Sequence, residues 1–179
     1  NPTVGLLAHP GQTDIRVTAK ASSLAEAEQM MAPVLQRIRE QLGKYIYGEN
    51  DTTLEEAVGR LIADRHVSVE IIEVGTKGEI LSKLKSQVPE LANGEFIDSF
   101  VSNETLKTLL KESQAQQNAD LALGVRLVSN GDKQDLLLVL RGEEIIKEGE
   151  RSYGGPPGDG QIWAVNSALD YIRRYLIEN

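Results

Sequence analysis

The sequence predicts an α/β protein built from two units, a small α+β unit over residues 1–48 and a larger layered α/β domain over residues 49–179. Three observations carry that reading. Apolar residues recur with period two in some stretches and with period 3.6 in others, interleaved along the chain. Hydrophobic residues make up 40% of the 179 residues and charged residues 26%, ordinary values for a globular core. Charge shifts at residue 48: the first 48 residues carry five Lys/Arg against four Asp/Glu, the remainder fourteen against twenty-three.

In the first unit, the β-branched and apolar run Thr3 to Ala8 reads as a strand, and His9-Pro10-Gly11-Gln12 as a turn. Ile15, Val17 and Ala19 alternate with polar residues and predict a half-buried antiparallel partner. Ser23 with Glu26 is a capping box. It opens a helix striped by Leu24, Ala27, Met31, Val34, Leu35, Ile38 and Leu42 and stopped at Gly43. After a connector at Tyr45 to Asp51, Thr53 and Glu56 form a second capping box, and the helix runs through Leu54, Val58, Leu61 and Ile62. Val67 to Val74 is a strand that ends in Gly75-Thr76-Lys77-Gly78, and a further helix carries Ile80, Leu81, Leu84 and Val88. Ser102 or Asn103 caps the next helix. A strand over Asp120 to Val128 turns at Asn130-Gly131 into a buried return strand, Leu136 to Leu140. An edge strand over Glu144 to Tyr153, a Gly/Pro-rich loop and a last helix through Ile162, Val165, Leu169, Ile172 and Leu176 complete the chain.

Composition excludes several chemistries. With no cysteine, thiol nucleophiles, disulfides and thiolate metal sites are ruled out, and two histidines make a histidine-rich metal site unexpected. No apolar run approaches the ~20 residues of a membrane span. The chain opens without an initiator Met or a signal-like segment, which suggests a fragment of a cytoplasmic protein. A net charge of −8 disfavours nucleic acid, whose binding rests on neutralising phosphates.

Two places could bind a ligand. Glu73, Thr76, Lys77 and Gly78 stand at a strand-to-helix turn, where amides of an α/β fold face a crevice. Gly158 and Asp159 precede the final helix, in a loop that lacks the Lys and hydroxyl ending of a phosphate-binding loop. The competing readings are a connecting turn and a structural loop. His9 in its turn, His66 at a helix end, and Ser99, Ser102 and Ser113 are not arranged with a partner that would make a nucleophile. The acidic groups at Glu143-Glu144 and Glu148-Glu150 read as a solvated strand face. No catalytic set, metal site or cofactor motif emerges.

The runs NPTVGLLAHPGQTDIRVTAKA, APVLQRIREQLGKYIYG and TLEEAVGRLI strongly resemble the KH-type middle module of the CinA family, the competence- and damage-inducible proteins, and its entry into the C-terminal domain. NADLALGV and PPGDGQIWAVNSALDYIRRYL are similar to later parts of that domain. The resemblance implies a KH-type strand–strand–helix unit over 1–48 and a reduced three-layer α/β/α domain over 49–179. It also implies an upstream molybdopterin-binding-like domain in the parent protein, while an aliphatic, poorly aromatic chain with hairpins and acidic flanks is compatible with a homo-oligomer.

The family's C-terminal domain deamidates nicotinamide mononucleotide through the serine of Ala-Glu-Ser-Cys-Thr-Gly-Gly. In Ile72 to Gly78, Glu73, Thr76 and Gly78 match, but Val74 stands in the serine's place. A valine can neither attack nor lose a proton. Aligning VSNE at 101–104 with a later helix start implies that the strand bearing the family's tyrosine and lysine is deleted. A hairpin at Asn130-Gly131 replaces the glycine loop, and Gly160 replaces the arginine after Pro157-Gly158-Asp159. The first unit lacks the GXXG loop of nucleic-acid-binding KH domains: Gly11-Gln12-Thr13-Asp14 ends in an acid. The leading expectation is therefore a catalytically silent domain in a structural, oligomerisation or regulatory role. The alternatives are residual amidohydrolase activity through Thr76 or a water held by Glu73, and non-catalytic nucleotide binding at Glu73, Thr76, Gly158 and Asp159.

Overall fold

The structure, a computed structural model, describes residues 1–143 and 145–179. Two strands, β1 (Thr3–His9) and β2 (Gln12–Thr18), form an antiparallel hairpin in which Leu6 faces Ile15 and Val4 faces Val17. The helix α1 (Leu24–Leu42) follows, its Ser23 hydroxyl accepting from the Glu26 amide. Ile15 and Val17 are half-buried, as their alternation predicts, and so is the apolar stripe of α1 from Ala27 onward. Leu24 at its start, however, is 74% exposed, and no residue in 1–48 is fully buried.

The remaining elements are α2 (Leu54–Arg65), β3 (Val69–Val74), α3 (Glu79–Gln87), β4 (Ala92–Ile97), α4 (Asn103–Gln117), β5 (Leu121–Asn130), β6 (Lys133–Arg141), β7 (Ile146–Tyr153) and α5 (Gly160–Glu178). Thr53 and Glu56 cap α2 reciprocally. The sheet order is β4-β3-β5-β6-β7, with β4, β3 and β5 parallel and β5, β6 and β7 antiparallel. Two cores flank this sheet. On one face Val69, Ile71, Leu123, Val125 and Leu138 pack against α2, α3 and α5. On the other, Ile72, Val74, Ala122, Leu137 and Val139 pack against Val101 and against Leu106 and Leu110 of α4. This is the expected three-layer α/β/α arrangement. Buried on both faces, β3 reads as a continuous apolar run interrupted by two glutamates, as central parallel strands do.

Two expectations need correction. A strand does stand between α3 and α4: β4 pairs along the whole of β3, with Glu73 beside Phe96. The deletion read from the family resemblance is therefore not a missing strand, although Ala-Asn-Gly-Glu-Phe-Ile carries neither a tyrosine nor a lysine. The last strand begins at Ile146, and Glu144 of the expected strand lies outside the described residues.

Candidate functional site

At the carboxyl end of β3 the chain turns through Gly75 to Gly78 into α3. Gly75 has φ +82°, and a Cβ there would collide with the Leu127 carbonyl oxygen of β5, so only glycine suits the turn. Glu73 is fully buried, and its carboxylate is saturated. Oε2 accepts from the Thr76 hydroxyl at 2.7 Å and the Ile80 amide at 3.2 Å, and Oε1 accepts from the Leu81 amide at 2.6 Å. Here the acid closes the first turn of α3, satisfying amides that a helix start leaves open. Burial raises its pKa above the ordinary carboxylate range, against the lowering pull of the Leu81 amide, the Thr76 hydroxyl and the Ile80 amide. Thr76 is equally buried. Gly78 sits at the head of α3 in a left-handed conformation.

Val74, one residue on from Glu73, points to the opposite face. It is 5% exposed and belongs to the core beneath α4. The position that the resemblance gives to the serine therefore opens onto leucine and valine side chains, not onto a crevice.

Gly158 and Asp159 occupy a 3₁₀ turn over Pro157–Asp159 that leads into α5. Gly158 is exposed with open space around it, and no side-chain hydrogen bond from Asp159 caps the helix. The two candidate places are neighbours: Gln161 Nε2 donates to the Thr76 carbonyl at 3.4 Å and to Glu79 Oε2 at 2.8 Å. His66, with φ +53°, ends α2 as its C-cap, and His9 Nε2 lies 3.1 Å from Asp14.

A cleft of about 460 Å³ lies beside this junction, between the β1–β2 turn, the connector and the starts of α2, α3 and α5. None of Glu73, Thr76, Gly78, Gly158 and Asp159 lines it. Its walls bring together Asp14, the nearby pair Asp51 and Glu55, Glu79 and Asn166, from four separated stretches of the sequence that share no motif. The acid at residue 14 was visible as a departure from GXXG, but nothing in the sequence placed it opposite α5. The turn also docks: Asn166 Nδ2 donates to the Pro10 carbonyl at 2.8 Å, and Gly11, at φ +76°, lies against Trp163 and Asn166 of α5.

Residues 1–48 match the family model for the damage-inducible protein CinA KH domain. Over 209 aligned residues the chain is 43% identical to a CinA-like protein of Dictyoglomus thermophilum, covering 99% of this chain and 50% of that protein. The chain belongs to the CinA family. It is also 43% identical over 84 residues to a putative competence-damage inducible protein of Clostridium perfringens, covering 47% of this chain and 20% of that one. Among solved structures it is similar to a CinA superfamily protein from Klebsiella pneumoniae (TM-score 0.60, 15% identity, 73% of this chain and all of that one). A competence/damage-inducible protein from Agrobacterium tumefaciens is similar too (TM-score 0.57, 14% identity, 73% and 99%). At such identities the structural likeness speaks for the CinA fold alone. The chain spans about half the length of the Dictyoglomus thermophilum relative. That alignment runs to 209 residues against a chain of 179, so the relative carries residues with no counterpart here.

Proposed function

We propose that this CinA-family chain lacks nicotinamide-nucleotide deamidase activity and serves a structural, oligomerising or regulatory role in a larger cytoplasmic protein. One observation carries the reading. The residue aligned with the family serine is Val74, an aliphatic side chain 5% exposed in the core beneath α4. Covalent attack needs an accessible heteroatom with a lone pair, activated by a base or a lowered pKa, and an alkyl side chain has none. Glu73, which could otherwise act as that base, spends both oxygens on holding α3.

The role in assembly rests on the first unit. Val4, Leu6 and Leu7 of β1 are 53%, 72% and 53% exposed, and a two-stranded hairpin gains little stability alone. A second copy, or the molybdopterin-binding-like domain that the family resemblance places upstream, would cover that surface.

The test is ammonia release from nicotinamide mononucleotide, run beside a family member with an intact serine motif. No release here, with release from the control, is the expected result. Release that disappears in a Thr76→Ala protein would overturn the proposal and make the buried Thr76–Glu73 pair the reacting one. Sedimentation velocity then reads assembly: a monomer at every concentration would remove the oligomerising role.

A further inference from the structure

The chain contains two Asn-Gly pairs, Asn93-Gly94 and Asn130-Gly131, and the fold holds them differently. Asparagine followed by glycine is the dipeptide most prone to cyclise, because no Cβ shields the glycine nitrogen from the asparagine side-chain carbon. Both asparagines are exposed, so access of water does not separate the two sites. Backbone freedom does.

Asn93-Gly94 lies inside β4, where Asn93 pairs with Glu70 and Gly94 with Ile71 along the parallel ladder. Gly94 has φ +146°, and a Cβ there would run into the Ile71 carbonyl oxygen, so the glycine is pressed against the backbone of β3. Its nitrogen cannot swing towards the Asn93 side chain while β4 stays paired. Asn130-Gly131 stands instead at the tip of the β5–β6 hairpin. Asn130 pairs with Lys133, which leaves Gly131 and Asp132 as a two-residue turn. Gly131 has φ +61°, and nothing lies within 4 Å of the place a Cβ would take. Among the described residues its amide donates no backbone hydrogen bond. The Asn130 side chain is held by one exposed contact, Nδ2 donating to Asp135 Oδ2 at 2.8 Å. Cyclisation there breaks that contact and the last rung of the hairpin, with the rest of β5 and β6 intact.

We propose that Asn130-Gly131 is a site of spontaneous deamidation in the folded protein, with water as the co-reactant, and that Asn93-Gly94 is protected by its pairing. The Gly131 nitrogen loses its proton and attacks Cγ of Asn130. A Cγ–N bond closes a succinimide, the Cγ–Nδ2 bond breaks, and Nδ2 leaves with a proton as ammonia. Water then opens the ring at Cγ, giving aspartate, or at the main-chain carbonyl of residue 130, giving isoaspartate. Either product exchanges the donor to Asp135 for a carboxylate, beside an acid whose other oxygen already accepts from the Ser152 hydroxyl at 2.6 Å. This ammonia is limited to one equivalent per chain from this site and forms without nicotinamide mononucleotide, so catalytic turnover is distinguished from it by exceeding that amount.

The test follows the full 179-residue chain at mildly alkaline pH, folded and in concentrated urea. Peptide mass mapping reads both sites, and protein isoaspartyl methyltransferase labels the isoaspartate. In the folded chain Asn130 should convert at least roughly tenfold faster than Asn93, whose reaction waits on the opening of β4. In urea the two rates should converge to within about twofold, since the ladder no longer restrains either site. Gly131→Ala should slow conversion of residue 130 in urea, where folding plays no part. An unchanged rate there would mean direct hydrolysis of the side-chain amide and would overturn the cyclic route. Equal rates at the two sites in the folded chain overturn the proposal. So does an Asn130 that stays intact in the folded chain while both sites convert in urea, which would mean that the hairpin tip is as restrained as β4.

Discussion

Residues 1–48 and the α/β layer have similar proportions of their residues in helices and strands, yet they are held by different means. In the layer, two cores enclose the sheet, and side chains such as Ile72, Leu84, Leu106 and Leu123 are wholly excluded from water. In the first unit the same residue types on β1 and α1 leave no position fully buried. Tyr47 packs against the larger core, and the rest of the unit's attachment to the layer is polar. Pro10 is held by Asn166, the Lys44 carbonyl accepts from Arg173 at 2.8 Å, the Lys44 ammonium meets Glu178, and Arg174 stacks over Tyr45. The hydrophobic effect scales with the apolar area removed from water, so the layer supplies nearly all of the stability and the first unit is carried by it.

The largest expected contrast comes from truncating one leucine in each region. Leu123→Ala removes a fully buried side chain between β3 and the α2–α5 face and should lower unfolding free energy by about 3 kcal/mol. Leu6→Ala, at a position 72% exposed, should leave the urea midpoint within error. A comparable loss at Leu6 would mean that β1 is covered in solution, and a concentration-dependent midpoint would identify the cover as a second copy.

Glu73 gives the next largest effect. Glu73→Ala strips an acceptor from two helix amides and a hydroxyl and should cost roughly 2–3 kcal/mol, with Glu73→Gln costing less because one oxygen remains. The pH dependence has a definite sign. Burial raises the folded-state pKa of Glu73, so the folded chain holds this proton more tightly than the unfolded chain does. The resulting stabilisation is complete below the unfolded carboxylate range and is lost as pH rises through the raised folded value. Glutamine does not titrate, so the advantage of wild type over Glu73→Gln should shrink across that window. Asp120 behaves oppositely: the Ser68 hydroxyl and amide lower its pKa, and its contribution is lost as pH falls. A gap between wild type and Glu73→Gln that widens with pH would mean that the three hydrogen bonds outweigh burial and lower the folded-state pKa.

Val74→Ser tests the site within the core. Exchanging a methyl pair for a hydroxyl beneath α4 should destabilise by about 1–2 kcal/mol and yield no ammonia from nicotinamide mononucleotide. Activity gained by that single change would show that the pocket had survived the loss of its nucleophile.

What the sequence made legible follows the same division. Where burial is two-sided or strictly alternating, pattern and structure agree, as in β3, in β6 and in the stripe of α5. The capping signals at Ser23 and Thr53 located two helix starts because a cap is a local hydrogen bond between nearby residues. β4 was not legible. An edge strand needs few apolar residues, and Ala-Asn-Gly-Glu-Phe-Ile has no clean alternation, so its existence rests on pairing with β3 that no local pattern encodes. Glu73 stands out in the sequence as a ligand-binding candidate, and its sequence position could not reveal that the amides of Ile80 and Leu81 consume it. The cleft was invisible for a stronger reason. Asp14, Asp51, Glu79 and Asn166 meet only through the tertiary docking of the β1–β2 turn onto α5, and separations of this kind leave no spacing to read.

That docking also supplies the smallest global effect. Asn166→Ala deletes the donor to the Pro10 carbonyl and should change overall unfolding by about 1 kcal/mol or less. Its signature is local. If the first unit is carried by polar contacts, losing one of them raises the population in which the β1–β2 turn lifts from α5 while both cores stay closed. Hydrogen exchange should then quicken at the amides of residues 11–14 and remain unchanged in β3 and β5, whose opening follows global unfolding. Uniform acceleration through both regions would mean that the hairpin and the layer unfold as one cooperative body, and that the contrast in burial does not divide the molecule energetically.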